Sequence, residues 1–196
     1  MLVIGLANSG KTTLVNALRA ARRATRRSTE TETETETETK HDDEVVPTMG
    51  FAVERFSVLK TELTVVDMSG QSKYKDTLWE CYYEDADAVV FVVDSAESEE
   101  NVALARAALE TFLLRREKDA EKTGDAKKRK KAPPPLAVFA NKSDLPAARS
   151  ASELAAAMRL TGESEALADR AWHVGACCAR TGEGVRDGFR WLIEKT

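Results

Sequence analysis

Cysteine is scarce: three residues among 196, two of them adjacent at Cys177 and Cys178, cannot form the spaced framework of a disulfide-stapled domain. Histidine is scarcer still. His41 and His173 are the whole supply, too few for a metal cluster or a His-based nucleophilic triad. No apolar run approaches the roughly 20 residues that a membrane-spanning helix needs, and no signal-peptide pattern opens the chain. A strong charge of one sign is also lacking: the net is -4, so no global field calls for nucleic acid or an anionic partner. These absences point to a reducing, cytosolic compartment and to a protein that is soluble or peripheral to a membrane, with nucleic acid not expected as a partner.

What is present suits a single domain over residues 1–196, since 42% hydrophobic residues suffice for one ordinary core. Short apolar runs predict buried strands at Met1 to Ile4, Leu63 to Val66, Ala88 to Val93, Pro135 to Ala140 and Ala171 to Cys177. Between them Lys11 to Ala24, Asn101 to Leu114, Ser150 to Leu160 and Gly184 to Ile193 space their apolar residues as helices do. Strands alternating with helices predict an α/β fold, a mostly parallel sheet with helices on both faces. Phe51 to Leu59 and Leu63 to Asp67, separated by the turn Lys60 to Glu62, read as a hairpin, which makes six strands with one antiparallel. Cys81, Cys177 and Cys178 read as packed thiols, and Trp79, Trp172, Trp191 and Tyr83 as core anchors.

Two segments break the pattern. Thr29 to Thr39 alternates Thr and Glu with no apolar residue, so neither a strand nor a helix there would bury anything; an acidic insertion over about 28–44 is expected to be disordered. Arg115 to Pro135 is highly charged, carries the run Lys127 to Lys131 and ends in Pro133, Pro134 and Pro135, and reads as an extended basic loop over about 115–135.

Chemistry enters at Gly5 to Thr12, which reads Gly-Leu-Ala-Asn-Ser-Gly-Lys-Thr between a strand and an amphipathic helix. This is a phosphate loop: successive backbone N–H groups form a concavity for phosphate oxygens, and the helix adds its positive end. Gly5, Asn8, Ser9 and Gly10, with Lys11, Thr12 and Thr13 at the helix start, are the phosphate-binding candidates. Lys11 would reach the outer phosphates and the Thr12 hydroxyl would ligate Mg²⁺. The base is chosen elsewhere. Asn141-Lys142-Ser143-Asp144 follows a strand end, where Asp144 can accept two hydrogen bonds from guanine that adenine cannot supply, and the stem of Lys142 would cover the base plane. Asp67-Met68-Ser69-Gly70-Gln71 has the form of a γ-phosphate sensor. There Asp67 would hold Mg²⁺ through water, the Gly70 N–H would meet the γ-phosphate, and Gln71, the catalytic candidate, would orient the attacking water. Thr48, after Pro47, supplies a second hydroxyl that closes on Mg²⁺ only while the γ-phosphate is present, which makes the site a GTP/GDP switch.

With these motifs in order, the chain resembles a small GTPase of the ADP-ribosylation-factor superfamily. Val46 to Phe51 matches that family's first switch. Asp67 to Gln71, Tyr74, Leu78 to Tyr83, Trp172 to Val174 and Thr181 to Gly184 resemble the ciliary branch that recruits the BBSome coat. The resemblance implies a P-loop GTPase fold and slow hydrolysis of GTP. It implies an exchange factor, a GTPase-activating protein and an effector or coat complex as partners, and a location that is cytoplasmic and reversibly membrane-bound, with the cilium or basal body as a destination. It places the Ala179 N–H at the guanine carbonyl, with Cys178 before it also nucleotide-binding, and Phe51, Val66 and Tyr82 on the effector surface, Val66 standing where relatives carry an aromatic ring. It also implies a two-residue slide of the hairpin, which keeps every side chain on its own face.

The chain departs from the family elsewhere. Ala7 replaces the usual aspartate, which predicts tighter phosphate binding or an altered response to exchange factor. One residue is added near Asp76 and Thr77, and Leu2 already lies in the first strand where relatives have an N-terminal extension. The basic run Lys127 to Lys131, at the end of the sheet remote from the nucleotide, is read first as a solvated charged loop and second as a weak membrane contact at about 1 kcal/mol per residue. Three other readings stay open: a guanine-nucleotide scaffold with little or no hydrolysis, a P-loop kinase or ATPase, and, last, nucleic-acid binding through the basic run.

Overall fold

The computed structural model describes residues 1–27, 50–58, 61–68, 79, 82–83, 86–123, 132–160, 164, 167 and 170–196, the side chains of 21–27 and 115–123 excepted. Ten elements follow one another: β1 (Leu2–Ile4), α1 (Lys11–Arg27), β2 (Phe51–Val58), β3 (Thr61–Met68), β4 (Val89–Asp94), α2 (Glu99–Thr123), β5 (Leu136–Asn141), α3 (Ala151–Ala157), β6 (Trp172–Ala176) and α4 (Val185–Lys195). The six strands form one sheet in the order β2-β3-β1-β4-β5-β6. Every pairing is parallel except β2 with β3. β1 lies where the winding reverses, the place at which open α/β sheets bind ligands.

The two faces of the sheet follow from the side-chain period of two. Leu2, Ile4, Val89, Phe91, Val93, Leu136, Val138 and Ala140 point to one layer, which α2 covers with Val102, Ala105, Leu109, Phe112 and Leu113, and α3 with Leu154. Val3, Val90, Val92, Ala137 and Phe139 point to the other, covered by Leu14, Val15 and Leu18 of α1 and Val185, Phe189 and Leu192 of α4. Burying each large apolar side chain is worth about 1.5–3 kcal/mol, so the uninterrupted apolar runs of β4 and β5 reflect burial on both faces. Trp79 and Tyr83 join the first layer, Trp79 meeting Phe112 edge-on at 5.9 Å. Trp172 and Trp191 pack against the core partly buried. Among the described residues no helix is long and apolar enough to cross a membrane.

Several boundaries differ from expectation. α2 runs to Thr123, so the expected loop over 115–135 is helical in its first part. Its charged residues are good helix formers, and no glycine or proline interrupts the chain before Gly124. Charge was misleading there, because helix propensity is a local property that charged residues satisfy. β3 begins at Thr61, so Thr61 and Glu62 belong to the ladder opposite Val58 and Ser57 rather than to a turn. α3 ends early, at Ala157, where Arg159 takes a left-handed conformation with φ 52°. The Thr-Glu tract, the run Lys127 to Lys131, the addition near Asp76 and Cys81 lie outside the described residues.

Candidate functional site

The phosphate loop leaves β1 pressed against its neighbour. A Cβ at Gly5, φ 148°, would lie 2.3 Å from the Val92 carbonyl oxygen, and one at Gly10, φ 90°, would lie 2.3 Å from Asn141 Nδ2. Both positions demand glycine. Asn8, φ 61°, takes the remaining left-handed position, which asparagine tolerates. Lys11 opens α1 and is 7% exposed, its Nζ donating to the Leu6 carbonyl at 2.8 Å. Burial pulls its ammonium down to about 8, with Asp67 acting in the opposite direction.

Strand pairing then delivers the acid. Val3 of β1 lies opposite Asp67 of β3, and the Thr12 hydroxyl donates to Asp67 Oδ2 at 2.6 Å. Asp67 is 2% exposed. Burial raises its carboxyl above the usual range, and Glu54 adds to that, while the Thr12 hydrogen bond and Lys11 lower it. Its Oδ1 is buried without a hydrogen-bond partner in the described structure, as is Ser9 Oγ. A buried anionic oxygen lacking a donor, beside a hydroxyl, is a donor set for a hard cation or its water.

The base side is built on the end of β5. Asn141, 1% exposed, donates through Nδ2 to the Ser9 carbonyl at 2.8 Å and accepts at Oδ1 from the Ala179 N–H at 2.9 Å. One amide thus ties the phosphate loop to the β6–α4 loop. Lys142, in the left-handed region at φ 63°, places its Nζ 2.6 Å from Asp94 Oδ2. Asp144 accepts from the Cys178 thiol at 3.1 Å and from Arg180 Nη2 at 2.9 Å. These contacts hold its carboxyl below the usual range, the thiol first. The carboxylate is not enclosed: its side chain is 29% exposed and bridged to an arginine. The reason is that it stands on a loop beyond the sheet, not on the strand. Cys177 and Cys178 are buried free thiols, and burial pushes Cys177 up to about 12.

The structure therefore gathers Gly5, Asn8, Ser9, Gly10, Lys11, Thr12, Asp67, Asn141, Lys142, Asp144, Cys178 and Ala179 at the carboxyl ends of β1, β3, β5 and β6, with Thr13 the third residue of α1. Thr48, Gly70 and Gln71 lie outside the described residues. Ala7 sits exposed on the phosphate loop. Away from this cluster Phe51 meets Tyr82 with ring centroids 5.1 Å apart. Val66 lies across the ladder from Val53. Val53 is 49% exposed and went unnoticed in the sequence, where nothing but strand alternation with Phe51 marks it. Asp94, Ser95, Arg149 and Arg180 were also missed. The signal for Asp94 was available: it is the single acid closing an otherwise apolar strand, Val89–Asp94.

A six-stranded α/β sheet with a phosphate loop at its reversal point and an Asn-Lys-x-Asp loop beside it defines a P-loop GTPase. The chain belongs to the ADP-ribosylation factor family, which matches residues 31–196, and is a small GTPase of its ARF-like kind. It is 35% identical over 195 residues to ADP-ribosylation factor-like protein 6 of Danio rerio, covering 100% of this chain and 87% of that one. It is 34% identical to ADP-ribosylation factor-like protein 1 of Saccharomyces cerevisiae, covering 99% and 85%. Among solved structures it resembles the Arl6 BBS3 small GTPase of Trypanosoma brucei with bound nucleotide analogue GppNp, with TM-score 0.72, 29% identity and coverage of 98% and 94%. The mammalian SRP receptor structure, at 21% identity and TM-score 0.71, shares the fold alone.

Proposed function

We propose that this GTP-binding switch hydrolyses GTP slowly, depends on an activating protein for turnover, and in its GTP state recruits an effector or coat complex to a membrane, in ciliary traffic. Asn141 carries the reading. Because its amide joins the Ser9 carbonyl to the Ala179 N–H, the phosphate and base ends of one nucleotide are gripped by a single unit. In this reading Lys11 and the loop amides bind the phosphates, Asp144 and the Ala179 N–H read guanine, and Lys142 lies along the base.

The buried, unpartnered Asp67 Oδ1 beside Thr12 fits Mg²⁺. With Thr48, these residues would hold the ion, which supplies charge neutralisation at the phosphates when bound. Gln71 would orient water, and with no arginine placed at the phosphates by any motif, turnover alone should be about 10⁻⁴ to 10⁻² s⁻¹. Phe51, Val53, Val66 and Tyr82 offer the apolar effector surface, whose exposure at Phe51 and Val53 supports it. Kinship with relatives named Arl6 and BBS3 supports a BBSome-like coat as the partner and the cilium as the place.

Pull-down of coat subunits on protein loaded with GDP or a non-hydrolysable GTP analogue tests the switch: retention with the analogue alone is expected, and equal retention overturns the effector role. Single-turnover hydrolysis by wild type and Gln71→Leu tests the enzyme. If both are equally inert, the protein is a guanine-nucleotide scaffold instead.

A further inference from the structure

The turn that links β4 to α2 has no place in the roles given above, yet it is laced to the base-reading loop through Asp94, Ser95 and Glu97. Asp94 Oδ2 lies 2.6 Å from Lys142 Nζ, and Asp94 Oδ1 accepts from the Ala96 N–H at 3.0 Å. Ser95 is fully buried; its N–H and its hydroxyl both donate to the Asn141 carbonyl, at 2.9 and 2.7 Å. In return the Arg149 N–H donates to the Ser95 carbonyl at 2.9 Å, and Arg149 Nη1 reaches the Glu97 carbonyl at 2.5 Å.

Lys142 needs such support. It is not glycine, yet it sits at φ 63°, a conformation that persists where surrounding contacts over-determine it. Immediately before it, the Asn141 carbonyl is held by Ser95; its own ammonium is held by Asp94. Backbone and side chain are thus held from one turn, at the peptide before the lysine and at its ammonium.

We propose that Asp94 is a positioning residue for guanine-nucleotide retention, acting through Lys142: its carboxylate anchors the ammonium so that the aliphatic stem lies flat where the base binds. This rests on the assignment of Lys142 to the base face. Asp94→Asn isolates the effect, because an asparagine still accepts from the Ala96 N–H at Oδ1 while losing the charge that holds Lys142. The two side chains are 27% and 10% exposed, so the expected change is modest, about twofold to fivefold faster release of GDP.

The experiment measures dissociation of fluorescent GDP from wild type, Asp94→Asn, Lys142→Met and the double variant, with thermal melting of each GDP-loaded protein. The expected result is that both single changes speed release and the double change adds nothing beyond Lys142→Met, which a merely structural role for Asp94 would not produce. Additive effects, or unchanged release from Asp94→Asn, overturn the inference. If Lys142→Met itself leaves release unchanged, the assignment of Lys142 to the base falls and the inference falls with it; if Lys142→Met speeds release and Asp94→Asn does not, the inference alone falls. Should Asp94→Asn melt without a cooperative transition, Asp94→Ser, which also retains an acceptor for the turn, takes its place with the same outcomes.

Discussion

The hydroxyl of Thr12 and the carboxylate of Asp67, 55 residues apart in sequence, meet at 2.6 Å. The first residues of α1 and the end of β3 are thereby joined at the point where the outer phosphates would lie. Only one carboxylate oxygen is satisfied, and burial works against the charge. Asp67→Asn is therefore expected to stabilise the nucleotide-free protein by about 1–2 kcal/mol, since it removes a buried charge while leaving an acceptor for Thr12. A raised folded-state carboxyl costs stability as pH rises from the usual carboxylate range through its raised value, so the gap between variant and wild type should close as pH falls through that raised value and vanish below the usual range. The same variant should hold GDP at least tenfold more weakly in Mg²⁺. Urea melts across pH and GDP titrations with and without EDTA check both halves.

Lys11 gives the second pH effect. Its value drops from 10.5 to about 8 on folding, so between those limits the unfolded chain binds the extra proton and the stability of nucleotide-free protein rises with pH. Phosphate oxygens favour the ammonium form. Binding of GDP should accordingly take up close to one proton near pH 9, and affinity should fall as pH rises above about 8. Calorimetry in buffers of different ionisation enthalpy measures the uptake. Lys11→Met should abolish it.

Asn141→Ala would strand the Ser9 carbonyl and the Ala179 N–H, both on buried residues. Leaving two such groups unpaired costs about 2–4 kcal/mol. Because the phosphate loop and the β6–α4 loop lose their shared tie, hydrogen exchange should rise in both, although they are far apart in sequence. Exchange confined to one loop contradicts the bridge.

Gly188 of α4 packs face-on against β5. A Cβ there would lie 2.5 Å from Phe139 Cζ, in a ring that is 1% exposed and has Phe189 at 5.3 Å. Gly188→Ala should lower stability by about 1–3 kcal/mol despite the better helix propensity of alanine. Adding Phe139→Leu in the same chain should recover part of the loss. Thermal denaturation of the two variants decides it.

Much of this molecule was legible in the residues as they stand. Five strands follow from short apolar runs and β2 from the hairpin reading, and the phosphate loop, Asp67 and Asn141 to Asp144 follow from spacing. Local chemistry suffices there, since a backbone cradle demands glycine at Gly5 and Gly10, and a strand buried on both faces is apolar along its length, with an acid such as Asp94 only at its end. Other features were hidden for the same reason in reverse. α2 passes through a charged segment because helix propensity is local and burial is not required of it. That the carboxylate of Asp94 meets the ammonium of Lys142, that Ser95 meets Asn141, and that Val53 lies beside Val66 depend on which strands are neighbours. Spacing along the chain determined which groups could bind a guanine nucleotide; the pairing of β4 with β5 and of β2 with β3 decided which groups hold those in place, because strand order brings together residues that no local pattern relates.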